Sequence, residues 1–362
     1  MKRLNENTFL ILVVIVFIIL CINPFLIVDK QKRNINEYEN IRIFDFDESK
    51  YTHFTVSLND TGEDIYVPNS STAYHYGPSL IINEDGSIDE WFATPGNMSS
   101  EWDYIRYRHS SDGYEYDKEE IVLKPTKNSK DHYSVCDPGV IYFNGYYYLA
   151  YTSTCNGNKK GYDNNIFVSR SENPNGPFEK WNGEGWGGNP EPIVINPDEG
   201  SWGVGEPCFV IKDDTLFMYY SAYITRGSMT MVVTSNLNED WPLSISEPQI
   251  AFNKIDGQDS NDVIYLEENE IFLSLSVGDR TYDSSFICVY ESKDGINFER
   301  TDKIKDNFLD YAHSLGVTKR KDGHVVESED NLLLGYAYGQ TWGKWATRLV
   351  SINIETYKGE KH

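Results

Sequence analysis

The chain is poor in positive charge and in cysteine, and it has no stretch of sustained helical periodicity. Its 362 residues include 32 Lys and Arg against 56 Asp and Glu, which gives a formal net charge of -24. Affinity for nucleic acid comes largely from basic side chains that neutralise phosphates, so this charge excludes a duplex nucleic-acid partner. The five cysteines include no pair at zinc-ligand spacing. Without helical periodicity, the sequence predicts an all-β protein.

Two cysteines leave a structural alternative open. Cys136 and Cys155 bracket a predicted hairpin, so they form either a disulfide on adjacent strands, in an oxidising compartment, or two free thiols. Cys208 and Cys288 are predicted to be buried thiols. No metal site is predicted from the cysteines.

One strand pattern recurs five times along the chain. Each copy begins with an apolar strand, turns through a hairpin rich in Asp, Asn and Gly, and continues as an aromatic strand. A third strand and a short fourth strand follow. The copies begin roughly 50 to 70 residues apart, near the period of four-stranded propeller blades. The first strands of the copies begin at Gly77, Asp137, Glu206, Asp262 and His313.

This repeat predicts a five-bladed β-propeller of four-stranded blades over residues 71–358. Residues 29–70 are predicted to form a polar linker with an N-terminal strand region. The apolar run over 9–28 is long enough to span a bilayer, and no small residues mark a cleavage site after it. The sequence therefore predicts a transmembrane signal anchor at 9–28 with a cytoplasmic tip at 1–8.

The starts of the five first strands are predicted to converge at one mouth of the central channel. Three of these positions carry carboxylates (Asp137, Glu206 and Asp262), the first has Gly77 and the fifth has His313. Two carboxyl groups at a polar channel suit glycoside hydrolysis, because one donates a proton to the leaving oxygen and the other activates water or attacks the anomeric carbon. A third carboxylate nearby raises the pKa of the acid.

Two segments resemble the blade openings of a known enzyme group. CDPGVIYFNGYYYLAYTS (136–153) and GEPCFVIKDDTLFMYYS (205–221) are similar to the Asp-Pro and Glu-Pro openings of family 43 arabinanases and β-xylosidases and their family 32, invertase-like relatives. NPNGPFEKW (173–181) also resembles them. The resemblance covers about residues 74 to 355 and implies a five-bladed propeller glycosidase that needs no cofactor.

The resemblance also implies roles for individual residues. Glu206 matches the general acid, and Asp137 matches either the base or the group that orients the acid. If Asp137 is the base, Asp262 orients Glu206; if Asp137 orients the acid, the base belongs to an earlier blade, where the chain has Gly77. His313 resembles a channel histidine near which some relatives hold calcium, so the resemblance leaves a calcium ion in the channel open.

Further residues are predicted on weaker grounds. His75 and Tyr76 precede the first strand of the first copy and are candidates for sugar contact, and Trp202 is a candidate stacking platform near Glu206. Asp103, Arg106 and Arg108 in a third strand are interpreted as a solvated strand face.

The sequence analysis therefore predicts a glycosidase, arabinofuranosidase-like or xylosidase-like and inverting, that acts on an extracellular carbohydrate. The protein is expected to be a single-pass membrane protein with the propeller outside the cell. That orientation follows from the function, because the flanking basic residues do not decide it. The alternative is an inactive cell-surface propeller that binds glycans, which the glycine at position 77 motivates.

Overall fold

The structure is a computed structural model that describes residues 51–70, 73–97, 100–154, 161–225, 227–253 and 259–359. Within these ranges the regular structure consists of strands and one short 3-10 helix, Trp241–Ser244. None of the described segments forms a helix long and apolar enough to cross a membrane. The predicted cytoplasmic tip, the predicted anchor over 9–28 and Cys155 lie outside the described residues.

The strands form five four-stranded antiparallel blades. Blade 1 consists of β3 (Tyr76–Ile82), β4 (Ile88–Pro95), β5 (Asp103–Ser110) and β6 (Glu120–Leu123). Blade 2 consists of β7 (Cys136–Phe143), β8 (Tyr146–Thr154), β9 (Asn164–Ser171) and β10 (Glu179–Lys180). Blade 3 consists of β11 (Gly203–Lys212), β12 (Thr215–Ile224), β13 (Gly227–Asn236) and β14 (Gln249–Asn253). Blade 4 consists of β15 (Asp259–Leu266), β16 (Ile271–Gly278), β17 (Phe286–Ser292) and β18 (Glu299–Ile304).

Blade 5 is assembled from both ends of the described chain. It consists of β19 (Ala312–Val317), β21 (Leu333–Tyr338), β22 (Ala346–Lys358) and, as its outer strand, β1 (Thr52–Leu58). β1 pairs with β22 from Thr52 opposite Lys358 to Leu58 opposite Ile352. Two short strands complete the sheets: β2 (Glu63–Tyr66) also pairs with β22, and β20 (His324–Val325) runs parallel to β15.

The innermost strands close into a ring. β3 packs on β7, β7 on β11, β11 on β15, β15 on β19, and β19 returns to β3. Apolar side chains from facing blades fill the spaces between them, as between blades 2 and 3, where Ile141 and Phe209 belong to one buried cluster. The predicted five-bladed propeller is confirmed, but its predicted start at residue 71 is too late, because β1 within 29–70 belongs to blade 5. The core is divided among the interfaces between neighbouring blades.

The inner strands begin with a bulge that determines which residues face the channel mouth. In blades 1 to 3 the bulged residue precedes proline and has a positive φ: Gly77 (61°), Asp137 (48°) and Glu206 (55°). In blade 4 the bulged residue with positive φ is Ser260 (45°). The predicted equivalence of Asp262 with the other strand starts is therefore wrong by two residues, because the irregularity in blade 4 lies before Asn261 and not at a proline.

Candidate active site

A cleft of about 620 Å³ opens at the mouth where the inner strands begin. Aromatic side chains form much of its wall: Tyr74, Tyr76, Trp102, Tyr162, Trp202, Trp342 and Trp345. Its ionisable residues are Asp103, Cys136, Asp137, Glu206, Arg280 and His313. A cleft of this size matches small-molecule sites in general, which measure about 300–1,000 Å³.

Asp137 and Glu206 form the central acidic pair of the cleft. Burial, together with the negative charge of Glu206, raises the pKa of Asp137 from 3.8 to about 7, although the positive charge of Arg280 opposes the rise. Cys136 donates its Sγ hydrogen to Asp137 Oδ2 at 3.4 Å. The carboxyl group of Asp137 therefore holds its proton to a higher pH than an ordinary aspartate, which suits a general acid.

Glu206 contacts a cation and a backbone donor. Its Oε1 lies 3.2 Å from Nη1 of Arg280, and its Oε2 accepts a hydrogen bond from the backbone N–H of Ser260 at 3.0 Å. A guanidinium and a backbone donor both stabilise a carboxylate anion. Arg280 and Ser260 therefore hold the carboxylate of Glu206 in place beside Asp137.

Arg280 is positioned by a strained turn after β16. Its neighbours Asp279 and Thr281 have φ values of 45° and 66°, and a positive φ is costly for a β-branched residue such as threonine. The Thr281 N–H donates to the carbonyl of Ala312 at 2.7 Å, which ties this turn to the start of β19. From this turn the guanidinium of Arg280 reaches Glu206.

His313 contributes a neutral ring to the cleft. Burial, and then the charge of Arg280, hold the pKa of His313 well below its usual range. Arg280 Nε donates to His313 Nδ1 at 2.6 Å, which requires an unprotonated Nδ1. The ring also packs on Trp345, with centroids 3.9 Å apart.

Asp103 is a third carboxylate of the cleft, whereas the sequence predicts it on a solvated strand face. It is 1 % exposed and accepts hydrogen bonds from the hydroxyls of Tyr74, Tyr76 and Ser134. The interpretation of its strand face as solvated is wrong for Asp103 and also for Arg108, which is buried against Glu90. The signal that points to Asp103 is its place at the start of a third strand, because first and third strands of an antiparallel blade begin at the same mouth.

Five of the seven predicted site residues meet in the cleft. These residues are Tyr76, Asp137, Trp202, Glu206 and His313. His75 does not line it: the ring stacks on Tyr66, with centroids 3.4 Å apart, and Nε2 lies 3.1 Å from Glu119 Oε1. The prediction of His75 as a sugar contact therefore has no support in the geometry, because its ring is enclosed by blade 1 and β2.

Asp262 is the second predicted residue outside the cleft, although it lines the small cavity of the central channel together with Gly77, Asp137 and Glu206. It forms a buried ion pair with Lys319, and its Oδ2 accepts the N–H of Val317 at 2.9 Å. The backbone N–H of Lys319 also donates to the carbonyl of Leu80. The Asp262–Lys319 ion pair therefore links blades 4, 5 and 1. The position indicates a structural role for Asp262.

A group of metal-ligand atoms occurs at the other end of the channel. Within the part of the chain that the structure describes, Glu267, Asp322 and His324 are the one set of three whose ligand atoms lie within 4.8 Å of one another. His313 belongs to no such set there, so the geometry adds nothing to the calcium expectation.

The overall likeness to solved structures is clear, although the sequence itself finds no match among protein-family models or curated proteins. An endo-arabinase from Bacteroides thetaiotaomicron is 16% identical with a TM-score of 0.56, over 83% of this chain and 100% of that chain. An α-L-arabinofuranosidase from Podospora anserina, solved with cellotriose, is 14% identical with a TM-score of 0.56, over 82% and 98%.

A family 117 glycoside hydrolase from the marine bacterium Zobellia galactanivorans is 16% identical with a TM-score of 0.54, over 85% of this chain and 92% of that chain. At these identities the likeness concerns the fold. The chain therefore has the five-bladed β-propeller fold that glycoside hydrolases of families 43, 62 and 117 share; of these, the sequence resemblance named family 43.

Proposed function

We propose that the protein is a glycoside hydrolase that cleaves an arabinofuranoside-containing or xyloside-containing oligosaccharide in this cleft. The observation that carries the proposal is the Asp137–Glu206 pair of the cleft, in which burial and the charge of Glu206 raise the pKa of Asp137 while Arg280 lies 3.2 Å from Glu206. Pairs with divided protonation are typical of acid–base catalysis. The propeller fold of known glycoside hydrolases supports the same conclusion.

Asp137, with Glu206 beside it, is the proton donor of the reaction. The sequence predicts Glu206 as the acid, with Asp137 as the base or the orienting group; the raised pKa of Asp137, together with the contact between Arg280 and Glu206, instead supports Asp137 as the proton carrier. Asp137 gives its proton to the glycosidic oxygen as the bond from that oxygen to the anomeric carbon breaks. Water adds to the anomeric carbon with inversion.

The aromatic wall supplies the sugar-binding surface. Trp342 is 63 % exposed and Tyr162 is 49 % exposed although both line the cleft. Exposed aromatic faces in a concave site stack on the apolar faces of sugar rings, and Trp202 lies in the same wall near Glu206. We expect these rings to hold the substrate while Asp137 and Glu206 perform the chemistry.

The test uses the full-length chain and its Asp137→Asn and Glu206→Gln variants. Wild type should release product from aryl α-L-arabinofuranosides, aryl β-xylosides or the matching oligosaccharides, and each variant should lose at least about 10³-fold in kcat. Asp213→Asn is the matched control, since that side chain is 81% exposed and lies away from the cleft. Saturable binding without product release by wild type would overturn the proposal in favour of the glycan-binding alternative.

We also propose that residues 9–28 anchor the protein in a membrane with the propeller outside the cell. The apolar run of bilayer-spanning length motivates this. The full-length chain should fractionate with membranes, and protease added to intact cells should digest the propeller. If the propeller is fully protected in intact cells and is digested only after lysis, it lies inside the cell and the proposed orientation is wrong.

A further inference from the structure

Blade 1 has no carboxylate at the mouth of its inner strand. Gly77 has the same left-handed conformation as Asp137 and Glu206, the two residues that present carboxyl groups from the neighbouring blades. A Cβ placed on Gly77 would lie 3.5 Å from Asp137 Oδ1, in ordinary contact, so a side chain there would point at the acidic pair. An inverting reaction needs a base separate from the acid, and this strand does not supply it.

Blade 1 brings a carboxylate to the cleft from another strand. Asp103 begins β5, which runs in the same direction as β3 and therefore starts at the same mouth. Tyr76, which immediately precedes Gly77, donates its hydroxyl to Asp103 Oδ2 at 3.3 Å. Tyr76, the residue before Gly77, therefore helps to fix the carboxylate of Asp103.

A second connection ties Asp103 to the proton donor. Ser134 donates its hydroxyl to Asp103 Oδ2 at 3.0 Å, and Cys136, two residues later, contacts Asp137 Oδ2. The segment before β7 therefore positions both carboxyl groups. Three hydroxyl donors, from Tyr74, Tyr76 and Ser134, stabilise the charged form of Asp103, which is the form that a general base requires.

We infer that Asp103 is the general base of the reaction and replaces the carboxylate that the inner strand of blade 1 lacks. This inference rests on the proposed hydrolase function. The carboxylate of Asp103 accepts a proton from water as the water oxygen bonds to the anomeric carbon. The bond from that carbon to the leaving oxygen breaks, and the leaving oxygen takes the proton of Asp137. One water is consumed, and a hemiacetal and an alcohol are formed.

The test compares Asp103→Asn with Asp89→Asn in the full-length chain. Asp89 is an equally buried aspartate of the same blade that accepts a tyrosine hydroxyl, from Tyr107, but it does not line the cleft. Asp103→Asn should lower kcat at least about 10³-fold with KM changed less than about threefold, because only the proton acceptor is lost. Asp89→Asn should keep kcat.

Azide distinguishes a base from a structural residue. With an aryl glycoside, sodium azide should partly restore the rate of Asp103→Gly, since azide attacks the anomeric carbon without needing a base, and the product should be a glycosyl azide of inverted configuration. If Asp103→Asn does not fold, Asp103→Glu serves instead: a displaced carboxylate should lower kcat at least about tenfold at unchanged KM.

Some outcomes would overturn the role of Asp103 alone, and one would also overturn the hydrolase function. If Asp103→Asn or Asp103→Glu keeps kcat within about threefold while Asp137→Asn and Glu206→Gln lose turnover, the hydrolase function stands and Asp103 is only structural. The same holds if azide gives no rescue and no glycosyl azide. If wild type turns over none of the substrates, the hydrolase function itself fails and the assignment of Asp103 fails with it.

Discussion

Asp137 and Glu206 have the same backbone conformation but are expected to differ in charge. Both are bulged residues with positive φ before a proline, and each begins the inner strand of its blade. Arg280 and the N–H of Ser260 contact Glu206, whereas Asp137 has the thiol of Cys136 and the negative field of Glu206. The difference arises from neighbours supplied by other blades, because the local sequence around the two residues is alike.

The raised pKa of Asp137 predicts a specific dependence of stability on pH. Its folded-state pKa of about 7 exceeds the ordinary 3.8, so the stabilisation it gives is complete below about pH 4 and is lost as the pH rises through 7. Asp137→Asn has no such proton. The variant should therefore gain stability relative to wild type between pH 4 and pH 8, by at most about 4 kcal/mol.

Urea unfolding of both proteins at pH 4 and pH 8 measures this effect. Titrating groups that do not interact with Asp137 are common to the two proteins and cancel in the difference between their free energies of unfolding. If the free energies of unfolding of the two proteins differ by the same amount at pH 4 and at pH 8, the pKa of Asp137 is not raised.

Trp342 should determine affinity more than turnover. Its ring is 63 % exposed in the cleft wall, about 6.0 Å from the Arg280 guanidinium. Trp342→Ala should weaken oligosaccharide binding about tenfold, equivalent to about 1.4 kcal/mol, with kcat nearly unchanged. Titration calorimetry on an inactive Glu206→Gln background measures the affinity. Tyr114→Ala, an exposed aromatic outside the cleft, is the control, and an equal loss in both variants would contradict a stacking role.

At the scale of single strands, bulge position decides which side chain reaches the mouth. The prolines at 78, 138 and 207 mark the bulges of three inner strands in the sequence itself. In β15 the bulge has no proline, and the carboxylate of Asp262 therefore points to Lys319 instead of the cleft. Aligning blades by their acidic residues failed there for this reason.

Asp262→Asn separates a structural role from a catalytic one. The amide keeps the size of the carboxylate and can still accept the N–H of Val317, but Lys319 loses its buried partner charge. We expect the free energy of unfolding to fall by about 3 kcal/mol, with kcat per folded molecule unchanged. Asp213→Asn, at a site that is 81% exposed, should change neither quantity. A large loss of kcat at full stability would restore the predicted catalytic role of Asp262.

At the scale of the whole molecule, β1 closes the ring. It supplies the outer strand of blade 5, so the last blade depends on pairing between residues about 300 positions apart. Its Phe54 and Val56 lie in the buried cluster shared by blades 4 and 5. Removing the contacts of this strand should therefore weaken the entire propeller and not β1 alone.

Phe54→Ala tests the closure. Truncating this buried ring should lower the free energy of unfolding by about 3–4 kcal/mol, measured by urea unfolding with tryptophan fluorescence. Ser57→Ala, on the opposite face of the same strand, should change it by less than about 0.5 kcal/mol. Equal unfolding midpoints for the two variants would show that β1 contributes little to closure.

The sequence by itself determined the blade repeat, the hairpins and the acidic pair. Alternating apolar residues, Asn144–Gly145 and the Asp-Pro and Glu-Pro openings are local signals, and the structure has strands and turns where they predict them. Only the tertiary structure decided that β1 completes blade 5, that Arg280 holds Glu206 and that hydroxyl groups of other segments hold Asp103. Each of these depends on contact between segments far apart in the chain, and no local pattern encodes such a contact.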